Sequence, residues 1–396
     1  MKYANFKNLK LSKLGFGVMR LPVTEVNGPL DEEKAIELLR YAYENGVNYF
    51  DCAYFYHQGK SEDIFRKALS KYPRDTFYLA DKLPGNFMTV ENGKLKIDVG
   101  FANIEGETFN NCAEVFEYQL ERCGVEYFDF YLLHNVSEDT YDLYTDEKLG
   151  FIDYLLEQKE NGRIKHFGFS THAQYDTLEK FLNKYDCFEF VQLQVNYLDW
   201  TLQEAGRKYE LLEKHGLPVV VMEPIRGGKL AFPGESAVEI LKAARPEYSP
   251  ATWSFRHLLS LPNVLVILSG MSTMEQLKEN LDTFGVDAAF TQSDRETLEK
   301  VAESMSAFIP CTECRYCCGV CPQSLDIPTL IGAYNEAVYE FSWMVQDILE
   351  VIPEDKKPAE CIACGACSPL CPQKIDIPDV LHKFAAIIEK NEQSSN

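Results

Sequence analysis

A positive charge balance is what this chain most clearly lacks: 39 Lys and Arg stand against 61 Asp and Glu, a formal net charge of −22. Nucleic acid and anionic membranes are gripped through basic patches, so neither is expected as a partner. Long apolar runs are missing as well. Nothing approaches the roughly 18 apolar residues of a membrane span, and the first residues carry no apolar core of a secretory signal. The expectation is a soluble, cytoplasmic protein. Also missing is a Gly-x-Gly-x-x-Gly turn after the first strand-like segment, the mark of an open dinucleotide-binding sheet. Cysteines with partner spacing are absent before residue 190, where Cys52, Cys112, Cys123 and Cys187 read as small apolar groups.

What is present is alternation. Strand-like segments at 14–19, 47–50, 76–82, 128–134, 164–170, 189–196, 218–223 and 264–269 are separated by amphipathic or capped helical segments. The helical ones lie at 31–45, 61–71, 108–122, 146–161, 174–184, 202–215, 251–260 and 273–281. Eight strand–helix pairs point to an α/β fold, a (β/α)8 TIM barrel of parallel strands. At 396 residues the chain has room for such a barrel and an appendix. The organisation expected is a barrel over 1–290, a helical linker over 291–310 and a cysteine-rich domain over 311–396. Two connections are longer than a barrel needs, 84–107 and 135–145. Both follow strands on the face where reacting groups sit, so both are candidates for a substrate lid; for the polar centre 91–96 of the first, a disordered surface insertion stays equally open.

Three consecutive strands deliver polar groups at their carboxyl ends: Asp51 and Tyr56 after the second, Lys82 at the end of the third, His134 at the end of the fourth. Each alone reads as an ordinary turn, core or strand-end residue. Together they have a chemistry. A lysine ammonium close to Tyr56 would lower a phenol pKa that is ordinarily near 10, and Asp51 would hold that ammonium in place. The phenol could then protonate a carbonyl oxygen that His134 also orients. Such a group polarises a carbonyl without reducing it, which implies a separate hydride donor. The histidines at 57, 166, 172, 215, 257 and 382 read as ordinary.

The motifs Leu14-Gly-Phe-Gly17, Phe50-Asp-Cys-Ala-Tyr-Phe-Tyr56, Asp81-Lys82-Leu83, Tyr131-Leu-Leu-His134, Gly168-Phe-Ser170, Gln192-Leu-Gln-Val-Asn196, Glu223-Pro-Ile-Arg-Gly227 and Gly270-Met-Ser-Thr-Met-Glu-Gln-Leu-Lys-Glu-Asn280 resemble those of the aldo-keto reductases, in the family's order. The resemblance implies catalysis by Asp51, Tyr56, Lys82 and His134 on a small carbonyl substrate. It also implies an extended NADP or NAD contacted by Gly17, Met19, Arg20, Ser170, Gln192, Met222, Pro224, Ile225, Gly227, Gly270, Ser272, Gln276, Glu279 and Asn280. Where many members stack an aromatic ring on the nicotinamide, this chain has Met222 and Glu223. The Lys and Arg that hold the 2′-phosphate in many members align with Gly270 and Gln276. One branch with the same Ser and Gln uses NADP, so both nucleotides stay open.

The tail repeats itself. Cys311-x2-Cys314-x2-Cys317-x3-Cys321-Pro recurs fifty residues on as Cys361-x2-Cys364-x2-Cys367-x3-Cys371-Pro, and each run continues to Asp-Ile-Pro. Doubled runs of this form hold two [4Fe–4S] clusters, the fourth cysteine of each reaching the other cluster; zinc is the bland alternative. The unambiguous second run selects Cys317 over Cys318. A helical segment is expected over 329–350, which makes the tail a small, mostly helical two-cluster ferredoxin-like domain. Two functions compete on these grounds. One is a hydride-transferring oxidoreductase whose clusters link it to an electron-carrier protein; the other is an electron-transfer protein whose barrel is a docking platform. Clusters move single electrons, and no flavin motif supplies the interchange with hydride.

Overall fold

The computed structural model describes residues 1–25, 29–99, 104–305, 309, 311, 315, 317–339, 341–371 and 374–394. The chain divides into two compact units, Met1–Ser304 and Met305–Asn396.

In the first unit a hairpin of β1 (Tyr3–Phe6) and β2 (Leu9–Ser12) precedes β3 (Leu14–Gly17), β4 (Tyr49–Asp51) and β5 (Tyr78–Leu83). An antiparallel insert follows, made of β6 (Met88–Glu91), β7 (Lys94–Val99) and β8 (Ile104–Phe109). Then come β9 (Phe128–Val136), β10 (Ile164–Thr171), β11 (Val191–Gln194), β12 (Val219–Met222) and β13 (Val264–Ser269). Strands β3, β4, β5, β9, β10, β11, β12 and β13 close in that order into a parallel barrel, as the alternation of apolar strands and capped helices requires. The strands are short and apolar because helices cover them. The helix Glu32–Glu44, for example, starts at Asp31, whose side chain accepts the Lys34 N–H, and buries Ala35, Leu38, Leu39 and Ala42.

The polar centre 91–96 of the connection after β5 is a hairpin within the antiparallel sheet, not a disordered insertion; residues 100–103 lie outside the described residues. Asn92 (φ 52°) and Gly93 (φ 75°) make the two-residue left-handed turn that a tight hairpin needs. Beyond it Leu95 and Ile97 alternate inward and are buried, while Lys94 and Asp98 face solvent. The connection after β9 is also tied down. The Tyr144 hydroxyl lies between the carbonyls of Leu83 (3.1 Å) and His134 (2.7 Å) and accepts the Gly85 N–H at 3.1 Å.

In the second unit the helix expected over 329–350 is two helices, Ile327–Tyr339 and Trp343–Val351. Ser342, extended at φ −78° and ψ 171°, opens the second one and breaks the run. The core pairs equivalent positions of the repeat: Leu325 and Ile327 with Ile375 and Ile377, and the rings of Tyr334 and Phe384 at 6.2 Å.

Candidate active site and cluster sites

Asp51 ends β4 and Lys82 lies one residue before the end of β5, so the parallel register sets their side chains at the same barrel mouth. Both are buried, Lys82 completely. The Lys82 Nζ donates to Asp51 Oδ1 at 2.6 Å and to the Cys52 carbonyl at 2.7 Å, and it sits 4.9 Å from the centre of the Tyr56 ring. The His134 ring stands edge-on to Tyr56 with centroids 6.0 Å apart. The four side chains singled out on successive strands thus share one cluster.

Burial decides the electrostatics. It pushes the Tyr56 phenol up to about 12 although the Lys82 ammonium pulls it down. The lowered phenol expected from the lysine is therefore not what results: desolvation of the phenolate outweighs the cation. Lys82 is held above its ordinary range; its burial opposes this, but Asp51 and Tyr56 outweigh it. His134 is driven well below its ordinary value by burial and by Lys82, so it is a neutral imidazole at neutral pH. Its Nδ1 is buried and makes no hydrogen bond among the described residues.

Asp81 does not compete for the lysine. Its carboxylate accepts the backbone N–H of Lys82 at 2.8 Å and lies beside Glu62 and Cys123, while the ammonium pairs with Asp51. Several residues at this mouth escape sequence reasoning. Phe55 stacks on His134 at 5.1 Å and meets Phe87 of the long connection at 4.5 Å. His57 is not ordinary: its Nε2 accepts the Leu21 N–H at 2.6 Å, and both His57 (φ 50°) and Gln58 (φ 56°) are left-handed. Two consecutive non-glycine residues in that conformation just after Asp51–Tyr56 are a signal that only coordinates reveal. Asp199 is another, buried against Arg226 at 3.1 Å beside Gln194 and Asn196.

The residues singled out for a nucleotide fall into two groups. Ser170 and Gln192 are buried on β10 and β11, and the Gln192 Nε2 lies 3.9 Å from the Met222 sulfur on β12. Gln192 Oε1 is buried and accepts nothing among the described residues, so an amide donor fits it. Ser170 Oγ accepts the Asn135 N–H at 2.8 Å, leaving its proton to donate. In the second group Arg20 lies over Gly270, where a Cβ would stand 2.8 Å from that of Arg20. Ser272 Oγ donates to the Arg20 carbonyl at 3.1 Å, and Gln276 Oε1 accepts the Ser272 N–H at 2.8 Å. Gly17 ends β3 ahead of exposed Met19, Pro224 is buried, Ile225 packs on the core, and Gly227 (φ 63°) is exposed near Arg20. Two others turn elsewhere: Glu279 accepts the Ser249 hydroxyl, and Asn280 donates to Ser269 Oγ at 3.1 Å.

In the second unit Cys321 lines one pocket with Cys361, Cys364 and Cys367. A thiolate of the first run is thus gathered with three of the second, the arrangement that crossed ligation of a [4Fe–4S] cube needs. Cys311, Cys317 and Cys371 join the same packed unit, and Cys314 lies outside the described residues. None of the described cysteines is in a disulfide. The repeat also separates Cys317 from Cys318. Cys317 and Cys367 are equally buried, whereas Cys318 opens the turn Cys318–Val320 just as Ser368 opens Ser368–Leu370. Serine already fills that place in the second run. Cys318→Ser should therefore keep the parent's iron and sulfide content, and Cys317→Ser should lose about half; the reverse pattern would refute this register.

Comparison with known proteins agrees with both units. Residues 13–303 match the aldo/keto reductase family, and residues 310–376 match the 4Fe-4S dicluster domain. A probable aldo-keto reductase of Glycine max is 30% identical over 59% of this chain and 61% of its own length, so the chain spans under two thirds of that protein. The NADH-specific methylglyoxal reductase of Escherichia coli is 23% identical over 75% of this chain and 97% of its own. Among solved structures, the holo form of an aldo-keto reductase from Bacillus halodurans superposes with a TM-score of 0.59 at 25% identity, over 76% of this chain and 96% of that one. An aldo/keto reductase from Klebsiella pneumoniae in complex with NADP and acetate shares the fold at a TM-score of 0.57 and 16% identity, over 75% and 93% of the two chains.

Proposed function

The chain belongs to the aldo/keto reductase family, and from that membership we propose that it moves hydride between NADP(H) or NAD(H) and a small carbonyl or alcohol. It is an NAD(P)-dependent oxidoreductase carrying a 4Fe-4S dicluster domain. The observation that carries the finer reading is the buried Lys82–Asp51 pair set under the Tyr56 ring.

A bound nicotinamide supplies the hydride, which leaves the protein to hold the carbonyl and deliver a proton. Tyr56, protonated at neutral pH, donates that proton to the carbonyl oxygen. Lys82 stabilises the phenolate left behind, and Asp51 keeps the ammonium in place. Neutral His134 offers a ring N–H to the same oxygen and orients it. Phe55 and Phe87 wall the histidine side against water. Gln192 and Ser170 would take the carboxamide, Met222 would pack on the ring, and Arg20, Gly270, Ser272 and Gln276 would take the adenosine end. Gly17, Met19, Pro224, Ile225, Gly227, Glu279 and Asn280 complete that contact set.

In the tail, Cys311, Cys314, Cys317 and Cys371 would hold one [4Fe–4S] cluster, and Cys361, Cys364, Cys367 and Cys321 the other. They would exchange single electrons with a carrier protein. The expected domain limits are a barrel over 1–290, a linker over 291–310 and the cluster domain over 311–396.

The test is anaerobic purification, iron and sulfide determination, titration with NADH and NADPH, and assay against small aldehydes. Methylglyoxal comes first, because the E. coli relative is named for it. Absence of both nucleotide binding and aldehyde turnover in the iron-loaded protein would end the reading. The two halves should also separate. A chain truncated near residue 305 should still reduce aldehydes, since the tetrad and every nucleotide residue lie before that point. A folded, nucleotide-binding truncation without turnover would mean that the clusters take part in the chemistry.

A further inference from the structure

Behind the Lys82–Asp51 pair lies a second polar network that the proposed chemistry does not use. Glu62 and Asp81 are both fully buried, and their carboxylates come within 4.8 Å of each other and of the Cys123 sulfur. The Arg122 Nε pairs with Glu62 at 2.7 Å, and the Gln119 amide bridges Glu62 (3.2 Å) and the Lys82 carbonyl (3.0 Å). Gln119 is itself fixed by the Tyr131 hydroxyl at 2.6 Å. Asp81 completes the circuit on the Lys82 N–H. Both backbone polar groups of the lysine are thus held from behind by side chains.

The network does not end at the barrel wall. The Arg122 guanidinium sits against the rings of Tyr54 (5.5 Å) and Tyr118 (5.4 Å). Both tyrosine hydroxyls donate to one carboxylate, Glu107: Tyr118 at 2.5 Å, and Tyr54 by a short bond. Glu107 belongs to β8 of the insert, opposite buried Ile97 of β7. Tyr54, fully buried, stands two residues before Tyr56 on the loop that leaves β4. One carboxylate of the inserted sheet therefore grips the loop that carries the proton donor. Through Arg122, Glu62 and Gln119 it also reaches the strand that carries the lysine.

We propose that Glu107 is a positioning residue: it latches the inserted sheet onto Tyr54 and so fixes the Tyr56 phenol relative to Lys82. The inference rests on the tetrad reading above and assigns the insert a role in turnover. The physical argument is geometric. Tyr56 is followed by left-handed His57 and Gln58, so the loop holds a conformation that non-glycine residues avoid and needs an external tie. His57 supplies one such tie through Leu21, and Tyr54 supplies another. A proton donor displaced by an ångström loses rate without losing substrate affinity.

The test uses the full-length, anaerobically purified protein. Glu107→Leu keeps bulk but removes both acceptors, and Tyr54→Phe removes one donor from the other side. Each should lower kcat by about tenfold, with KM and nucleotide affinity within about twofold of the parent. The double variant should lose little more than either single one, because both break the same tie. Leu95→Ala, which destabilises the same insert through its core, is the control and should leave kcat close to the parent's. If Glu107→Leu does not fold, Tyr54→Phe against Leu95→Ala decides alone. Parent-like kcat in the latch variants, or an equal loss in Leu95→Ala, overturns the inference. Tyr56→Phe in the same assay keeps the two readings apart. If Tyr56→Phe is as active as the parent, the tetrad reading falls. If Tyr56→Phe is inactive while the latch variants are unimpaired, only the latch falls.

Discussion

Tyr56→Phe is expected to lower aldehyde reduction by about 10²–10⁴-fold while leaving nucleotide affinity unchanged. The substitution removes one hydroxyl and keeps the ring, so the apolar packing against Phe55 and the edge contact with His134 survive. What disappears is the hydroxyl of the ring beside the Lys82 ammonium, the proton that the proposed reaction delivers to the carbonyl. The pH dependence follows from the direction of the shift. Burial holds the phenol up near 12, so it stays protonated across neutral pH, and reduction should fall only as alkaline pH deprotonates it. His134, held well below its ordinary value, adds no further ionisation between neutral and alkaline pH. Steady-state rates from about pH 6 to pH 10, over which the parent should stay flat, with nucleotide affinity by fluorescence, check both points. Turnover within a few-fold of the parent would remove Tyr56 from the chemistry.

The barrel was legible because its strands are continuous apolar runs, each ended by a polar residue and separated by capped helices. Strand β9, from Phe128 to Val136, is buried along nearly its whole length, and such a run admits few readings. The insert was harder. Its outward residues, Glu91, Lys94, Lys96 and Asp98, dominate the composition and hide the alternation of Leu95 and Ile97 about the Asn92–Gly93 turn. That two-residue signal was present and outweighed. The N-terminal hairpin, Tyr3 to Ser12, was equally short and half-polar. Within the site, sequence order could bring four side chains to one mouth, but it could not say which influence on Tyr56 is larger. That balance depends on complete burial, a property of the packed barrel rather than of the motif. Phe55, His57 and Glu107 were illegible for a similar reason: their roles arise from contacts with Leu21, Tyr54 and His134 that no spacing encodes.

Replacing the lysine should do the most damage, and in a form that separates stability from chemistry. In Lys82→Met the Asp51 carboxylate keeps its place in the barrel but loses its cation, and Lys82 is 0% and Asp51 2% exposed. Removing one partner of a buried pair leaves an uncompensated charge, at a cost of about 3–5 kcal/mol. Burial already raises the Asp51 pKa even with the lysine beside it, and without the lysine the rise is larger. The sign of the pH effect is then fixed. A carboxyl whose folded pKa lies above its unfolded one is favoured below the unfolded value, and that advantage fades as pH rises through the folded one. The deficit of Lys82→Met relative to the parent should therefore be smaller at about pH 5 than at about pH 8. Asp51→Asn/Lys82→Met removes the charge altogether and should recover most of the lost stability in denaturant unfolding. It should recover none of the turnover, because nothing then stabilises the phenolate that Tyr56 becomes when it gives up its proton. If the double variant regained activity along with stability, the lysine would be a packing element and the proton-transfer assignment would fail.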